Sequence, residues 1–137
     1  MREIAAAIKT DLETITAIRQ VFAPYELPDT PNALPAAIIM PGITDYNHDF
    51  TRQIAPSTSF RIIILLAQQS KPSAASVLVD LIEGDSSVFA VLEADPTLGD
   101  TCTGFELQRN KGLGVIPWGG IVYLSTEFEM VAYGIQD

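Results

Sequence analysis

The sequence contains few of the residues on which catalytic and metal sites most often depend. Its 137 residues include one cysteine, Cys102, and one histidine, His48. A single cysteine cannot close an internal disulfide, and these two residues make a zinc site only if several carboxylates complete it. None of the short motifs typical of serine hydrolases, zinc peptidases or phosphate-binding loops occurs. We therefore predict a protein that is not an enzyme and holds no metal or cofactor.

Basic residues and long apolar runs are also scarce. Eight lysines and arginines stand against seventeen aspartates and glutamates, which gives a formal net charge of −9. Binding to nucleic acid requires clustered basic side chains on the phosphates, so this charge disfavours a DNA-binding protein. The longest apolar run, residues 62–67, is far shorter than the ~20 residues of a membrane-spanning helix. We expect a protein that neither binds DNA nor crosses a membrane.

The apolar residues that are present are enough for a buried core. They make up 47% of the chain, and the length is typical of a single domain covering residues 1–137. Apolar side chains recur every three or four positions along residues 3–22 and 72–83, a spacing that predicts two helices. A shorter helix is predicted at residues 88–92, after the polar capping residues 85–87.

Strands are predicted where apolar and polar residues alternate. This pattern occurs at residues 59–67, 101–109 and 121–133. The apolar residues 36–40 predict a further short strand, which should end at a turn formed by Pro41 and Gly42. Together these elements predict an α+β fold. We expect a two-layer sandwich in which helices pack on one face of a mixed or antiparallel sheet, with long irregular loops.

Two segments without any periodicity, residues 41–58 and 110–120, hold the candidate contact residues. Aromatic and arginine side chains on loops are enriched in protein interfaces. We predict that an interface with another subunit or a partner contains Tyr46, Phe50, Arg52, Lys111 and Trp118. The alternative is that Phe50 and Trp118 fold back over the core of their own chain.

Three passages, taken in chain order, carry a resemblance to a known family. Residues 34–42 are similar to a first strand written "P-A-hydrophobic-P-G", and residues 84–99 to a passage "small helix, D-P-T-L-G-G, strand". Residues 119–130 look like a last strand "G-x-x-Y-x-G/A-x-F-x-V", with Ser125 where a small residue is expected. In all three passages the chain resembles the tail-terminator, tail-completion and neck proteins of long-tailed bacteriophages and prophages.

The resemblance implies a structural protein of the virion that is assembled in the host bacterial cytoplasm. Such proteins form a ring, typically a hexamer, at the head-proximal end of the tail tube, where the ring ends tube polymerisation and offers a docking surface for the head. The implied partners are further copies of the chain, the tail tube protein and head-completion or connector proteins. Double-stranded DNA would pass through the ring without specific binding.

Two other functions remain open at this point. The first is a head-closure or neck adaptor, which shares the size and the α+β build. The second belongs to a different class, a small non-viral ligand-binding α+β module with a pocket under residues 41–58. An enzyme that uses His48 with nearby carboxylates is a third possibility, but no catalytic motif in the sequence supports it.

Acidic residues on the last strands acquire a possible role if the chain forms such a ring. An acidic lumen repels phosphates, so DNA slides through it without adhering. The candidates for this lumen face, chosen because they are not helix caps, are Glu106, Glu127 and Glu129. Simple solvation of an outer surface is the alternative, and in either case we expect reversal of Glu127 and Glu129 to change stability by under ~0.5 kcal/mol.

Overall fold

Within the residues that the structure describes, two helices and six strands have defined bounds. The computed structural model describes residues 2–27, 29–31, 33–45, 57–68, 78–79, 81–83, 87–102 and 104–133. The helices are α1 (Arg2–Leu12) and α2 (Val88–Glu93), with a 3-10 turn at Pro24–Glu26. The strands are β1 (Gln20–Phe22), β2 (Ala36–Asp45), β3 (Ser57–Gln68), β4 (Gly104–Asn110), β5 (Gly114–Trp118) and β6 (Ile121–Tyr133). No helix within these ranges is long and apolar enough to span a membrane.

All six strands belong to one mixed sheet. The order is β1-β2-β3-β6-β4, and β5 also pairs with β6. The β1–β2 pair is parallel, whereas β2–β3, β3–β6, β4–β6 and β5–β6 are antiparallel. The α+β prediction is thus confirmed at the level of a mixed sheet combined with helices.

The first helix is shorter than predicted. The expected range was 3–22, but α1 ends at Leu12 and the chain passes through turns before it enters β1. Thr14 contributes to this ending, because its Oγ1 donates a hydrogen bond to the Asp11 carbonyl at 2.6 Å and competes with helical bonding. Ile15 lies beyond the helix but is only 2% exposed. The apolar spacing continues past the end of the helix because side chains of the following turns are also buried in the core.

The second predicted helix, residues 72–83, falls mostly outside the described residues. Residues 78–79 and 81–82 are helical. Leu78 and Leu81 are buried there, whereas Val79 and Ile82 are exposed. The short helix predicted at 88–92 is confirmed by α2, and Ser87 caps it by accepting a hydrogen bond from the Ala90 N–H at 3.1 Å.

The strand predictions at 59–67 and 121–133 are confirmed by β3 and β6, whereas two others need correction. The strand predicted at 101–109 begins at Gly104, because the chain is still in a turn at 101–102. The strand predicted at 36–40 does not turn at Pro41 but continues as β2 to Asp45. A shift in register between Pro41 and Thr44 accommodates the proline, which has no N–H to give to the ladder.

The two faces of the sheet bury separate apolar clusters. On one, which we call the core face, strand side chains such as Ile39, Ile62 and Met130 share a cluster with Ile8 of α1 and Leu92 of α2. The other, which we call the opposite face, has a smaller cluster formed by Ile38, Ile63, Leu65 and Tyr123. The doubly apolar pattern of residues 59–67 is explained by β3, which contributes to both clusters.

Candidate assembly surface

The last three strands build a long hairpin that carries Lys111 and Trp118, the two predicted contact residues that lie within the described ranges. A two-residue turn, Gly119-Gly120, joins β5 to β6, and Trp118 pairs with Ile121 across it. Both glycines have positive φ, 59° and 82°. That conformation suits the tight turn that joins twisted antiparallel strands, and glycine adopts it at little steric cost. The aperiodic segment 110–120 is therefore largely an edge strand and its turn.

The hairpin tip packs against the rest of the chain. Trp118 is half-buried and contacts the small cluster of the opposite face. The tip also meets Asp29 and Thr30, since a Cβ added to Gly119 would lie 2.1 Å from the Asp29 carbonyl oxygen and 2.7 Å from Thr30 Cγ2. This position of Trp118 agrees with the lid alternative, and its role at an interface stays a prediction. Three further predicted residues, Tyr46, Phe50 and Arg52, lie outside the described residues, as does His48.

Five charged side chains form a continuous network on the opposite face, which we call the charge ladder: Arg61, Arg109, Lys111, Glu127 and Glu129. Arg61 donates from Nε and Nη2 to the two carboxylate oxygens of Glu127, at 3.1 and 2.7 Å. Lys111 Nζ lies 3.0 Å from Glu127 Oε2 and 3.5 Å from Glu129 Oε2. Arg109 Nε lies 3.0 Å from Glu129 Oε1. Lys111 thus bridges the two carboxylates, and each carboxylate also pairs with one arginine.

Sheet register explains why these residues meet. Arg61 of β3 and Arg109 of β4 are both paired with Glu129, so they flank β6 from its two sides. The hydrogen bonds from Arg61 lower the pKa of Glu127 below its ordinary value, an effect that burial of the carboxylate partly opposes. Hydrogen bonding to Glu127 raises the pKa of Lys111. Arg61, Lys111 and Glu127 therefore stay ionised at neutral pH.

The predicted acidic face has a different electrostatic character from the one expected. Glu127 and Glu129 are neutralised by ladder cations, so neither presents a bare carboxylate to a lumen. Glu106 is the strand partner of Val131 and lies on the same face of the sheet as the charge ladder. Its side chain is exposed and makes no ion pair within the described ranges. Sequence reasoning missed Arg61 and Arg109. Strict alternation in β4 would place Arg109 on the face of Phe105 and Leu107, and the register shift between Leu107 and Arg109 brings it beside Glu129 instead. No sequence signal gives that shift.

Replacing Glu127 by lysine is expected to lower the free energy of unfolding by more than an ordinary surface substitution does. The substitution removes the contacts with Arg61 and Lys111 and leaves the ladder cations facing a further cation. Since a hydrogen bond to a charged group contributes about 1.5–3 kcal/mol, we expect a loss of about 2 kcal/mol in the free energy of unfolding. Glu106→Lys, on the same face, is the matched control and should change it by less than ~0.5 kcal/mol. Equal effects of both substitutions in urea unfolding would show that the ladder has no structural role.

A shallow pocket opens beside the ladder between the hairpin and β3. Its volume is about 190 Å³. Its apolar side includes Ile63 and Ile116, whereas Lys111 and Glu127 of the ladder lie at its polar side. The pocket thus combines an apolar wall with fixed charges.

The other notable group of titratable residues is a carboxyl pair formed by Asp11 and Asp95. The Asp11 Oδ2 atom is buried without a hydrogen-bond donor among the described residues. Burial, then hydrogen bonding and charge repulsion from Asp95, raise the pKa of Asp11 from 3.8 to about 7. Asp11 therefore stays protonated over much of the acidic range. Nearby Cys102 is buried, which raises the pKa of its thiol and makes it a poor nucleophile.

Comparisons with known proteins do not assign a function. No protein-family model matches the sequence, and no curated protein is significantly similar to it. Within the described residues, no group of three or more histidine, cysteine, aspartate or glutamate side chains is arranged to hold a metal ion. Function is therefore inferred from the geometry of the elements and surfaces described above and from the sequence resemblance.

Proposed function

We propose that this chain is a structural subunit of a tailed bacteriophage, and that copies of it form a ring that caps the head-proximal end of the tail tube. The ring ends tube polymerisation and presents the surface to which head-completion or connector proteins dock. The subunit performs no chemistry, and DNA passes through the ring without specific contacts. Its place is the virion neck, after assembly in the host cytoplasm.

The observation that carries this proposal is the geometry of the turn between α2 and β4. The resemblance implies a small helix, the passage D-P-T-L-G-G and then a strand. In the chain α2 is followed by a turn in which Asp95 Oδ1 accepts a hydrogen bond from the Gly99 N–H at 3.0 Å. Asp100 stands at the second glycine of the passage and has a φ of 63°, beside Gly99 at 67°. A backbone that suits Gly-Gly supports the family assignment.

Two further features agree with the proposal. Residues 34–42 and 119–130 supply the start of β2 and most of β6, which are the strand types that the resemblance implies. The buried residues of α1 and α2 share one cluster with the core face of the sheet. We infer from this sharing that the helices form one layer of a two-layer sandwich. The opposite face would then be left for contacts between subunits.

Growth of tail tubes in the presence of the purified chain tests the proposed function. Tube protein encoded in the same genome is allowed to polymerise with increasing amounts of the chain, and tube lengths are measured in electron micrographs. We expect shorter tubes with ring-shaped density at one end. A head-closure adaptor would leave tube length unchanged and bind to portal-side assemblies instead. Unchanged lengths without any bound density would contradict the proposal.

A further inference from the structure

The charge ladder presents its cations outward and its carboxylates inward. The side chains of Arg109, Lys111 and Arg61 are 66%, 49% and 46% exposed. Those of Glu129 and Glu127 are only 29% and 14% exposed. An approaching molecule therefore meets the cations first. Since three cations face two carboxylates, the ladder carries one net positive charge within a chain whose formal charge is −9.

The rest of the chain has the opposite sign. Outside the ladder, five of the eight basic residues remain against fifteen of the seventeen acidic residues. Complementary potentials steer two surfaces together and fix their relative orientation. A second copy of the same chain therefore supplies the acidic surface that the ladder would attract.

Helix α2 offers an apolar side chain next to an acidic one on its outer side. Phe89 is 51% exposed, and Glu93, one helical turn later, is exposed as well. Residues four apart lie on the same side of a helix. Val88 and Leu92 are buried in the core cluster, so Phe89 and Glu93 point away from it. Exposed aromatic side chains are frequent anchors of protein interfaces.

The pocket beside the ladder is the right size for such an anchor. Its volume is about 190 Å³. A cavity of roughly 150 Å³ accepts benzene, so one phenyl ring fits. Ile63 and Ile116 would contact the ring, and Lys111 lies where an acidic residue next to that ring could reach it.

We propose that Phe89 of one copy inserts into this pocket of a second copy, and that Glu93 then pairs with Lys111 of the ladder. The two surfaces are different parts of the chain, since α2 packs with the core face and the ladder lies on the opposite face. The contact is therefore head-to-tail, and such contacts produce closed rings when the rotation between copies closes. This inference rests on the proposed function, because it names the contact that joins ring subunits.

The first test truncates the anchor. Phe89→Ala should raise the protein concentration needed for half-assembly by about 30-fold or more, as expected for the loss of a central aromatic anchor. Its unfolding midpoint should fall only slightly, since about half of the side chain is already exposed. Leu27→Ala is the control, because Leu27 is also an exposed apolar residue, 41% exposed, and has no place in the contact. Assembly is followed by light scattering across a dilution series.

The second test exchanges the paired charges. Glu93→Lys and Lys111→Glu should each weaken assembly about tenfold, and the double substitution should recover most of the loss, because the pair is restored with its polarity reversed. Circular dichroism of each variant establishes that the fold is intact. Recovery of assembly in the double variant is a result that a purely structural role of either residue would not give.

The outcomes separate the inference from the proposed function. If wild-type rings form but Phe89→Ala and the charge variants assemble as the wild type does, the contact is wrong and the proposed function stands. If Leu27→Ala weakens assembly as much as Phe89→Ala does, the pocket is not the specific site. If the wild type never self-associates, either alone or with tail tubes, both are wrong.

Discussion

Replacing Gly119 by alanine is expected to lower the free energy of unfolding by about 2–5 kcal/mol, as the sum of an overpacked contact and a left-handed backbone at a residue with a Cβ. The added Cβ would lie 2.1 Å from the Asp29 carbonyl oxygen and 2.7 Å from Thr30 Cγ2. Because the first of these atoms belongs to the backbone, either the hairpin tip or residues 29–31 must move. Urea unfolding measures the loss.

Gly120 provides the matched control within the same turn. Its φ is 82°, but a Cβ there would meet no atom within 4 Å. Gly120→Ala should therefore lower the free energy of unfolding by about 1–2 kcal/mol, which is the effect of the left-handed backbone alone. The difference between the two variants isolates the contact between the hairpin tip and residues 29–31. Equal losses would mean that the tip does not pack there.

Replacing Asp11 by asparagine is expected to stabilise the protein at pH 8 and to have little effect at pH 4. The pKa of Asp11 in the folded chain is raised from 3.8 to about 7, mainly by burial. A raised pKa means that the folded state holds a proton that the unfolded state releases. Folding therefore loses stability as the pH rises from about 4 through 7. Asparagine removes that penalty, since it is never ionised and can donate a hydrogen bond to Asp95.

The size of this gain follows from the difference in pKa and from the exposure of the group. A shift from 3.8 to about 7 corresponds to about 4 kcal/mol if each unit contributes 1.36 kcal/mol. Asp11 is only half-buried, so solvent screening reduces the effect, and we expect about 1–2 kcal/mol. Glu13→Gln, an exposed neighbour with the same charge change, is the control. A pH-independent effect of Asp11→Asn would contradict the raised pKa of Asp11.

The sequence pattern predicted those elements whose side chains follow one period from end to end. Strands β3 and β6 and the Ser87-capped helix α2 are of this kind, since alternation and capping are local signals. The end of α1 was not predicted, because Ile15 continues the apolar period after the helix has stopped. The β2 strand was cut short, because a proline and a glycine normally mark a turn and only the bulge reveals that the strand continues.

The surface properties were the least predictable part, because they depend on contacts between distant residues. Arg61 and Glu127 are separated by 66 positions in the sequence, and only sheet register brings them together. The acids of β6 therefore gave the expectation of a repulsive face, whereas ion pairs neutralise Glu127 and Glu129. Trp118 belongs to a segment without periodicity in the sequence, and the hairpin places it against the chain's own apolar cluster.

Electron microscopy of the purified chain, alone and mixed with tail tubes, tests the central claim most directly. We predict closed rings, hexameric if the family resemblance holds, either free in solution or seated at one end of each tube. The ring should enclose an opening wide enough for double-stranded DNA. Single particles of 14.8 kDa under both conditions, with tube ends bare, would contradict the claim that this chain is a ring-forming subunit of the tail.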